Sequence, residues 1–63
     1  MINRIWKIIK NNREDYELLN NSLEIKNCVY GYYYFNNKTR EYVTVGLDDN
    51  LNVIYLQFES EVK

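Results

Sequence analysis

The chain has 63 residues, with nine acidic and eight basic side chains, one cysteine and no histidine. This length predicts a single domain that buries only about 60% of the surface its unfolded chain exposes. A lone cysteine excludes an internal disulfide and, without histidine, argues against a conventional zinc site. We therefore expect no metal and no cofactor, and an unpaired thiol is typical of a reducing, cytoplasmic setting.

The apolar stretches are too short for a membrane span. The longest, CVYGYYYF from Cys28 to Phe35, is well below the roughly 20 residues that a spanning helix needs. The first ten residues, MINRIWKIIK, are interrupted by Arg4, Lys7 and Lys10, so they lack the apolar core of a secretory signal. We expect no membrane partner, although this basic stretch has a rival interpretation as a membrane-surface helix.

The first segment has the periodicity of an amphipathic helix, with Ile2, Ile5, Trp6 and Ile9 spaced by three and four residues. We expect this helix to pack on the rest of the domain. The rival interpretation makes residues 5–9 a strand, because Ile and Trp favour sheets.

A second helical piece is expected after Asn11-Asn12. Asn12 suits an N-cap, with Glu14 and Asp15 in the first turn and Leu19 and Leu23 extending the apolar stripe. Residues 20–21, both Asn, suit its end. The segment is then either one helix kinked near residues 11–12 or two short helices.

Three strands are predicted next, over residues 28–35, 41–47 and 52–59, separated by the turn-forming segments 36–39 and 48–50. Short connections favour an antiparallel meander. The predicted fold class is α+β, with one N-terminal helical layer on a three-stranded antiparallel β-meander, and residues 1–63 form one domain.

Strand alternation decides which tyrosines are exposed. If the helix covers the aliphatic side, formed by Val43, Val45, Leu47, Ile54, Leu56 and Phe58, a loop of three or five residues before Glu41 turns Tyr30, Tyr32 and Tyr34 outward. A loop of two or four residues turns them inward, and a bulge at Gly31 is a further alternative. We favour the outward arrangement because three buried hydroxyls would need three partners. Val29, Tyr33 and Phe35 then join the core.

The outward arrangement predicts a protein-binding surface, because tyrosine is enriched at binding hot spots. Its members are Tyr30, Tyr32, Tyr34, Tyr42 and Tyr55, with secondary contacts from Arg4, Lys7, Lys10 and Arg13. The competing interpretation is that the tyrosines only stabilise the sheet through cross-strand pairs. An AT-rich genome, indicated by ten Asn, seven Tyr and no Ala or Pro, would itself supply several tyrosines.

The chain lacks the residues of an enzyme. Cys28 has no histidine partner, Asp48-Asp49-Asn50 lacks the spacing of a calcium loop, and the two glycines form no phosphate loop. Two other functions remain open. Exposed tyrosines with the basic N-terminal residues suit a single-stranded nucleic-acid-binding module, although the net charge is −1. A homodimer or other homo-oligomer would bury the same tyrosine face.

The chain is small, has the amino-acid composition of an AT-rich genome, and is expected to have no cofactor, disulfide or metal cross-link. In these properties it resembles small phage or mobile-element proteins that block a host factor, such as anti-CRISPR proteins. The resemblance covers no specific motif. It implies a non-enzymatic inhibitor of host defence or of a host enzyme that binds a target protein and acts by steric occlusion.

Overall fold

The computed structural model describes residues 2–61, with side chains from Arg4 to Glu61. One helix, α1 (Ile2–Asn11), precedes four strands: β1 (Tyr16–Asn20), β2 (Tyr30–Asn36), β3 (Glu41–Leu47) and β4 (Val53–Ser60). The strands form one antiparallel sheet in the order β1-β2-β3-β4. The α+β class is confirmed, but the sheet has four strands where the sequence predicted three.

The N-terminal segment is helical, so the rival interpretation of residues 5–9 as a strand is wrong. Ile9 is only 1% exposed and Trp6 is half-buried, whereas Ile8 points to solvent. The side chain of Ile2, which the predicted apolar stripe included, lies outside the described side chains. The helix ends where the Asn12 amide donates to the Ile9 carbonyl oxygen at 3.3 Å.

The second helical piece is replaced by strand β1. Asn12 does accept a hydrogen bond from the Asp15 amide at 3.3 Å, as an N-cap would. The chain nevertheless makes a turn at residues 13–15 and enters β1, whose Tyr16 lies opposite Asn36 of β2. Backbone pairing with a strand far along the chain therefore overrides a local helical pattern.

Register assigns each residue to one of two faces. Residues directly opposite each other in an antiparallel pair share a face, and Tyr32 lies opposite Val45, which lies opposite Leu56. This inner face lies beneath α1, and the other is the outer face. The core consists of the buried side chains Ile9, Tyr34, Val43, Val45, Leu47 and Val53.

The expected outward orientation of Tyr30, Tyr32 and Tyr34 is wrong, and the reason is one residue of loop length. A strand that ended at Phe35 would leave five residues before Glu41. The structure extends β2 to Asn36, which pairs with Glu41 and leaves only residues 37–40 as the loop. Asn36 is buried, and its side-chain oxygen accepts the Lys38 and Thr39 amides at 2.8 and 3.1 Å. This four-residue loop turns the three tyrosines to the inner face.

The rest of the predicted core changes accordingly. Tyr33 and Phe35 lie on the outer face, and Val29 is 60% exposed ahead of β2. Ile54, also expected inside, lies at an irregularity in the pairing between β3 and β4 and is 50% exposed. Leu56 packs against the core as expected.

Candidate functional site

Part of the outer face is covered by the connection between β1 and β2, residues 21–29. Gly31 and Gly46 lie opposite each other beneath it. A Cβ atom added at Gly31 would collide with the Leu23 carbonyl oxygen, and one at Gly46 would lie 2.5 Å from the Cys28 Sγ. The Leu23 amide donates to the Gly31 carbonyl at 3.0 Å. The glycines therefore allow the connection to pack directly on the strands, and Cys28 is half-buried there.

The remainder of the outer face carries four aromatic side chains that we term the aromatic platform: Tyr33, Phe35, Tyr42 and Tyr55. The rings of Tyr33 and Tyr42 are parallel within 5°, with centroids 5.5 Å apart. Phe35 lies 4.9 Å from Tyr42 and is largely covered by it and by the Arg40 guanidinium, 4.8 Å above the Phe35 ring. The rings thus hold one another in place on the two central strands.

Carboxylates flank the platform on both sides. Glu17 of β1 lies opposite Phe35, and Glu59 of β4 lies opposite Tyr42. The pKa of Tyr33 is raised, first by its partial burial and then by the charge of Glu59 and the neighbouring Tyr42. Its phenol therefore stays neutral and remains a hydrogen-bond donor near neutral pH.

Tyr55 extends the platform along β4. It is 40% exposed, and its hydroxyl donates to the side-chain oxygen of Gln57 two residues further on the same face. The edge of the platform therefore combines an exposed ring with a polar amide, a mixture that tolerates both water and a partner.

The five tyrosines predicted as one surface are divided between the two faces. Tyr42 and Tyr55 belong to the platform, whereas Tyr32 and Tyr34 pack under α1. The Trp6 ring stacks on Tyr32 at 5.1 Å and meets Tyr34 edge-on at 5.9 Å. Tyr30 is on the inner face at the end of the sheet and is 43% exposed. Tyr30, Tyr32 and Tyr34 therefore do not join Tyr42 and Tyr55.

The predicted secondary contacts are all exposed, but they lie on the α1 side of the molecule, away from the platform. Lys10 extends over the Trp6 ring, with its Nζ 5.6 Å from the ring centroid. Arg13 follows α1 in the turn before β1. The four predicted secondary contacts are Arg4, Lys7, Lys10 and Arg13.

Tyr33 and Phe35 were not predicted from the sequence as members of the outer face. One signal was available in the sequence, because Gly31, Tyr33 and Phe35 are spaced by two residues and so lie on the same face of a strand. A glycine in a strand often marks a place where backbone approaches closely, so the face of Gly31 was a candidate for contact with a loop rather than with the helix.

Residues 2–61 contain neither a helix that is long and apolar enough to cross a membrane nor a group of three or more potential metal ligands. Comparison with protein-family models, curated proteins and solved structures found no match to this chain.

Proposed function

We propose that this chain is a small, non-enzymatic protein-binding module that acts by covering a functional surface of a larger protein. The observation that carries the proposal is the aromatic platform on the outer face, with Tyr33, Tyr42 and Tyr55 partly open to solvent. Tyrosine buries a large area while ordering only two side-chain torsions, so a pre-stacked set loses little entropy on binding.

The charges around the platform favour a protein over a nucleic acid. Glu17 and Glu59 flank the rings, and a phosphate backbone laid across them would be repelled. The basic residues of α1 lie beyond the opposite face of the sheet, so they are badly placed to neutralise phosphates beside bases stacked on the platform. Binding to single-stranded nucleic acid is accordingly the less favoured function.

An inhibitory role fits the build of the domain. Three of the four platform rings, those of Tyr33, Phe35 and Tyr42, lie on the central strands β2 and β3, so a bound surface would meet a fixed shape rather than a loop that must first be ordered. The AT-rich composition supports an origin in a phage or mobile element, and the partner would then be a host protein whose surface is occluded.

The test combines capture with matched variants. The tagged chain is used to purify partners from cells of the native host, and the partner identified by mass spectrometry is titrated by calorimetry. We expect Tyr33→Ala and Tyr42→Ala each to weaken binding by about 1–3 kcal/mol. Ile8→Ala, an exposed apolar control on α1, should leave the affinity unchanged.

Salt and nuclease distinguish the two partner classes. A contact centred on tyrosine should change little with salt, whereas nucleic-acid affinity falls steeply. Capture that disappears after nuclease treatment, or affinity that is insensitive to both tyrosine variants, would contradict the proposal.

Self-association is a second candidate, favoured by strand β4. This strand forms one edge of the sheet and exposes Ile54, Tyr55 and Phe58, and a long apolar edge is a site for pairing with another strand. Light scattering over a dilution series tests it. Ile54→Lys places a charge on the edge at an exposed position and should convert a dimer to a monomer, whereas a wild-type monomer at high concentration would remove this candidate.

A further inference from the structure

A groove opens on the α1 side of the molecule, between the end of α1 and strand β1. Its volume is about 510 Å³, within the range of roughly 300–1,000 Å³ typical of small-ligand sites. Leu18, which is 47% exposed, gives it an apolar wall, whereas Ile9, 1% exposed, contributes little surface. The polar lining consists of Lys10, Arg13, Tyr16, Glu17, Tyr34 and Asn37.

Tyr34 is the unusual member of this lining. The residue is 6% exposed, yet its hydroxyl forms no hydrogen bond with any residue that the structure describes. The hydroxyl is not sealed off either, because no buried side-chain oxygen in the described part of the chain lacks a partner. A buried tyrosine normally directs its hydroxyl to a partner, and here the hydroxyl is open to solvent in a residue that lines the groove, where water or a ligand can bind it.

Arg13 lines the same groove and provides a cation there. Burial raises the pKa of Tyr34, as does the neighbouring Tyr32, while the positive charge of Arg13 acts in the opposite direction. The phenol therefore stays neutral and can donate a proton to a hydrogen bond. A permanently charged guanidinium and a phenol donor in one place suit a planar anion.

We propose that the groove binds a small organic carboxylate with an apolar chain or ring. The carboxylate accepts hydrogen bonds from the Tyr34 hydroxyl and the Arg13 guanidinium, and the apolar part packs on the exposed side chain of Leu18. Glu17 at the rim favours a single negative charge over a phosphate ester, which carries nearly two. Glu17 lies on the edge strand β1 and belongs both to this rim and to the surroundings of the aromatic platform, but the groove contains none of the platform rings and does not depend on the proposed protein-binding function.

The probe is hydrocinnamate, a phenyl ring on a short chain ending in a carboxylate, and its matched control is the uncharged hydrocinnamamide. Binding is followed by chemical-shift changes in the isotope-labelled full chain. We expect hydrocinnamate to shift the backbone amide signals of residues around the groove. Hydrocinnamamide should bind at least about tenfold more weakly, as loss of a charge-assisted hydrogen bond predicts.

Three variants of exposed residues test the assignment without disturbing the core. Arg13→Gln should weaken hydrocinnamate binding by about tenfold or more, and Glu17→Gln should tighten it by removing a repelling charge. Lys7→Gln, which changes a basic residue of α1 outside the groove lining, should have no effect. Equal affinity of hydrocinnamate and its amide, or an unchanged affinity in Arg13→Gln, would overturn the proposal.

Tyr34→Phe supplies a further readout. Because the hydroxyl has no partner in the described protein, the variant should fold with an unchanged melting temperature and bind hydrocinnamate about tenfold more weakly. Should it fail to fold, the opposite effects of the Arg13 and Glu17 variants still decide the question. Tighter binding of N-acetylglycyl-phenylalanine than of hydrocinnamate would reject a free small acid in favour of a protein C-terminus.

Discussion

Leu51 is a residue whose side chain contributes little to the core and whose backbone is strained. It has φ of 66° in the turn before β4 and is 59% exposed. The left-handed region costs a residue with a Cβ roughly 1–2 kcal/mol, so a glycine there removes strain. Its own flexibility in the unfolded chain offsets part of the gain.

We predict that Leu51→Gly raises the free energy of unfolding by about 0.5–1 kcal/mol. Urea denaturation followed by circular dichroism measures the change. Leu51→Ala is the matched control, because it removes the same apolar side chain but keeps the Cβ atom. Equal stability of the glycine and alanine variants would show that backbone strain at this position is negligible.

Asp48 stabilises the same turn through its charge. Its carboxylate accepts the Asn52 and Asn50 amides at 2.8 and 2.9 Å. These bonds, led by that from the Asn52 backbone, hold the pKa of Asp48 below its ordinary value. A lowered folded pKa means that the stabilisation is complete above the ordinary value of about 3.9 and is lost as the pH falls through the folded one.

The wild type should therefore be more stable to unfolding than Asp48→Asn at neutral pH, and this difference should become smaller below about pH 4. Thermal unfolding at a series of pH values measures it. Asp49→Asn is the control, since this neighbouring side chain makes no hydrogen bond with the described residues. A difference that stays constant with acidification would show that Asp48 is not stabilised as its carboxylate.

The connection between β1 and β2 can pack closely on the sheet because Gly31 and Gly46 have no side chains. Gly46 lies under Cys28, and Gly31 lies under the backbone of Leu23. We predict that each Gly→Ala change costs about 1–3 kcal/mol through overpacking. Cys28→Ala should recover part of the cost at Gly46, because it removes the sulfur that the new methyl group meets.

No side-chain truncation should recover the cost at Gly31 in the same way, because the colliding atom there is a backbone oxygen. Ile25→Ala in the Gly31→Ala background provides the comparison. Chemical denaturation of the single and double variants gives the coupling energies. Simple additivity of Gly46→Ala and Cys28→Ala would mean that the connection does not pack on β3.

The sequence predicted helix α1 and the strands β3 and β4 because each has a strong local period, and it predicted β2 because CVYGYYYF is rich in residues that favour strands. It failed at β1, since YELLN at Tyr16–Asn20 continues a helical stripe and becomes a strand only by pairing with β2. It also failed at the orientation of β2. Whether Asn36 belongs to the strand or to the loop reverses the face of every side chain in that strand, and the local sequence favours a turn there.

At the scale of the whole molecule, the sheet is covered unequally on its two faces. The inner face is covered by a single ten-residue helix, and the outer face only partly by the 21–29 connection. The membership of the candidate site therefore differs from the prediction. Tyr42 and Tyr55 were identifiable from strand alternation alone, whereas the face on which Tyr33 lies depends on the length of the loop between β2 and β3. A domain this small has little stability to lose, of the order of 3–5 kcal/mol from its core.

Trp6 and the core residue Ile9 hold α1 on the sheet, and the Trp6 ring contacts both Tyr32 and Tyr34. We predict that Trp6→Ala costs about 3–5 kcal/mol, comparable with the whole stability of such a domain, and therefore unfolds it. Circular dichroism and dispersion of amide shifts measure the loss. Ile8→Ala, on the exposed side of the same helix, should change stability by less than about 0.5 kcal/mol. If Trp6→Ala kept native dispersion, the four strands would be stable without the helical layer, and the two-layer account of this fold would be wrong.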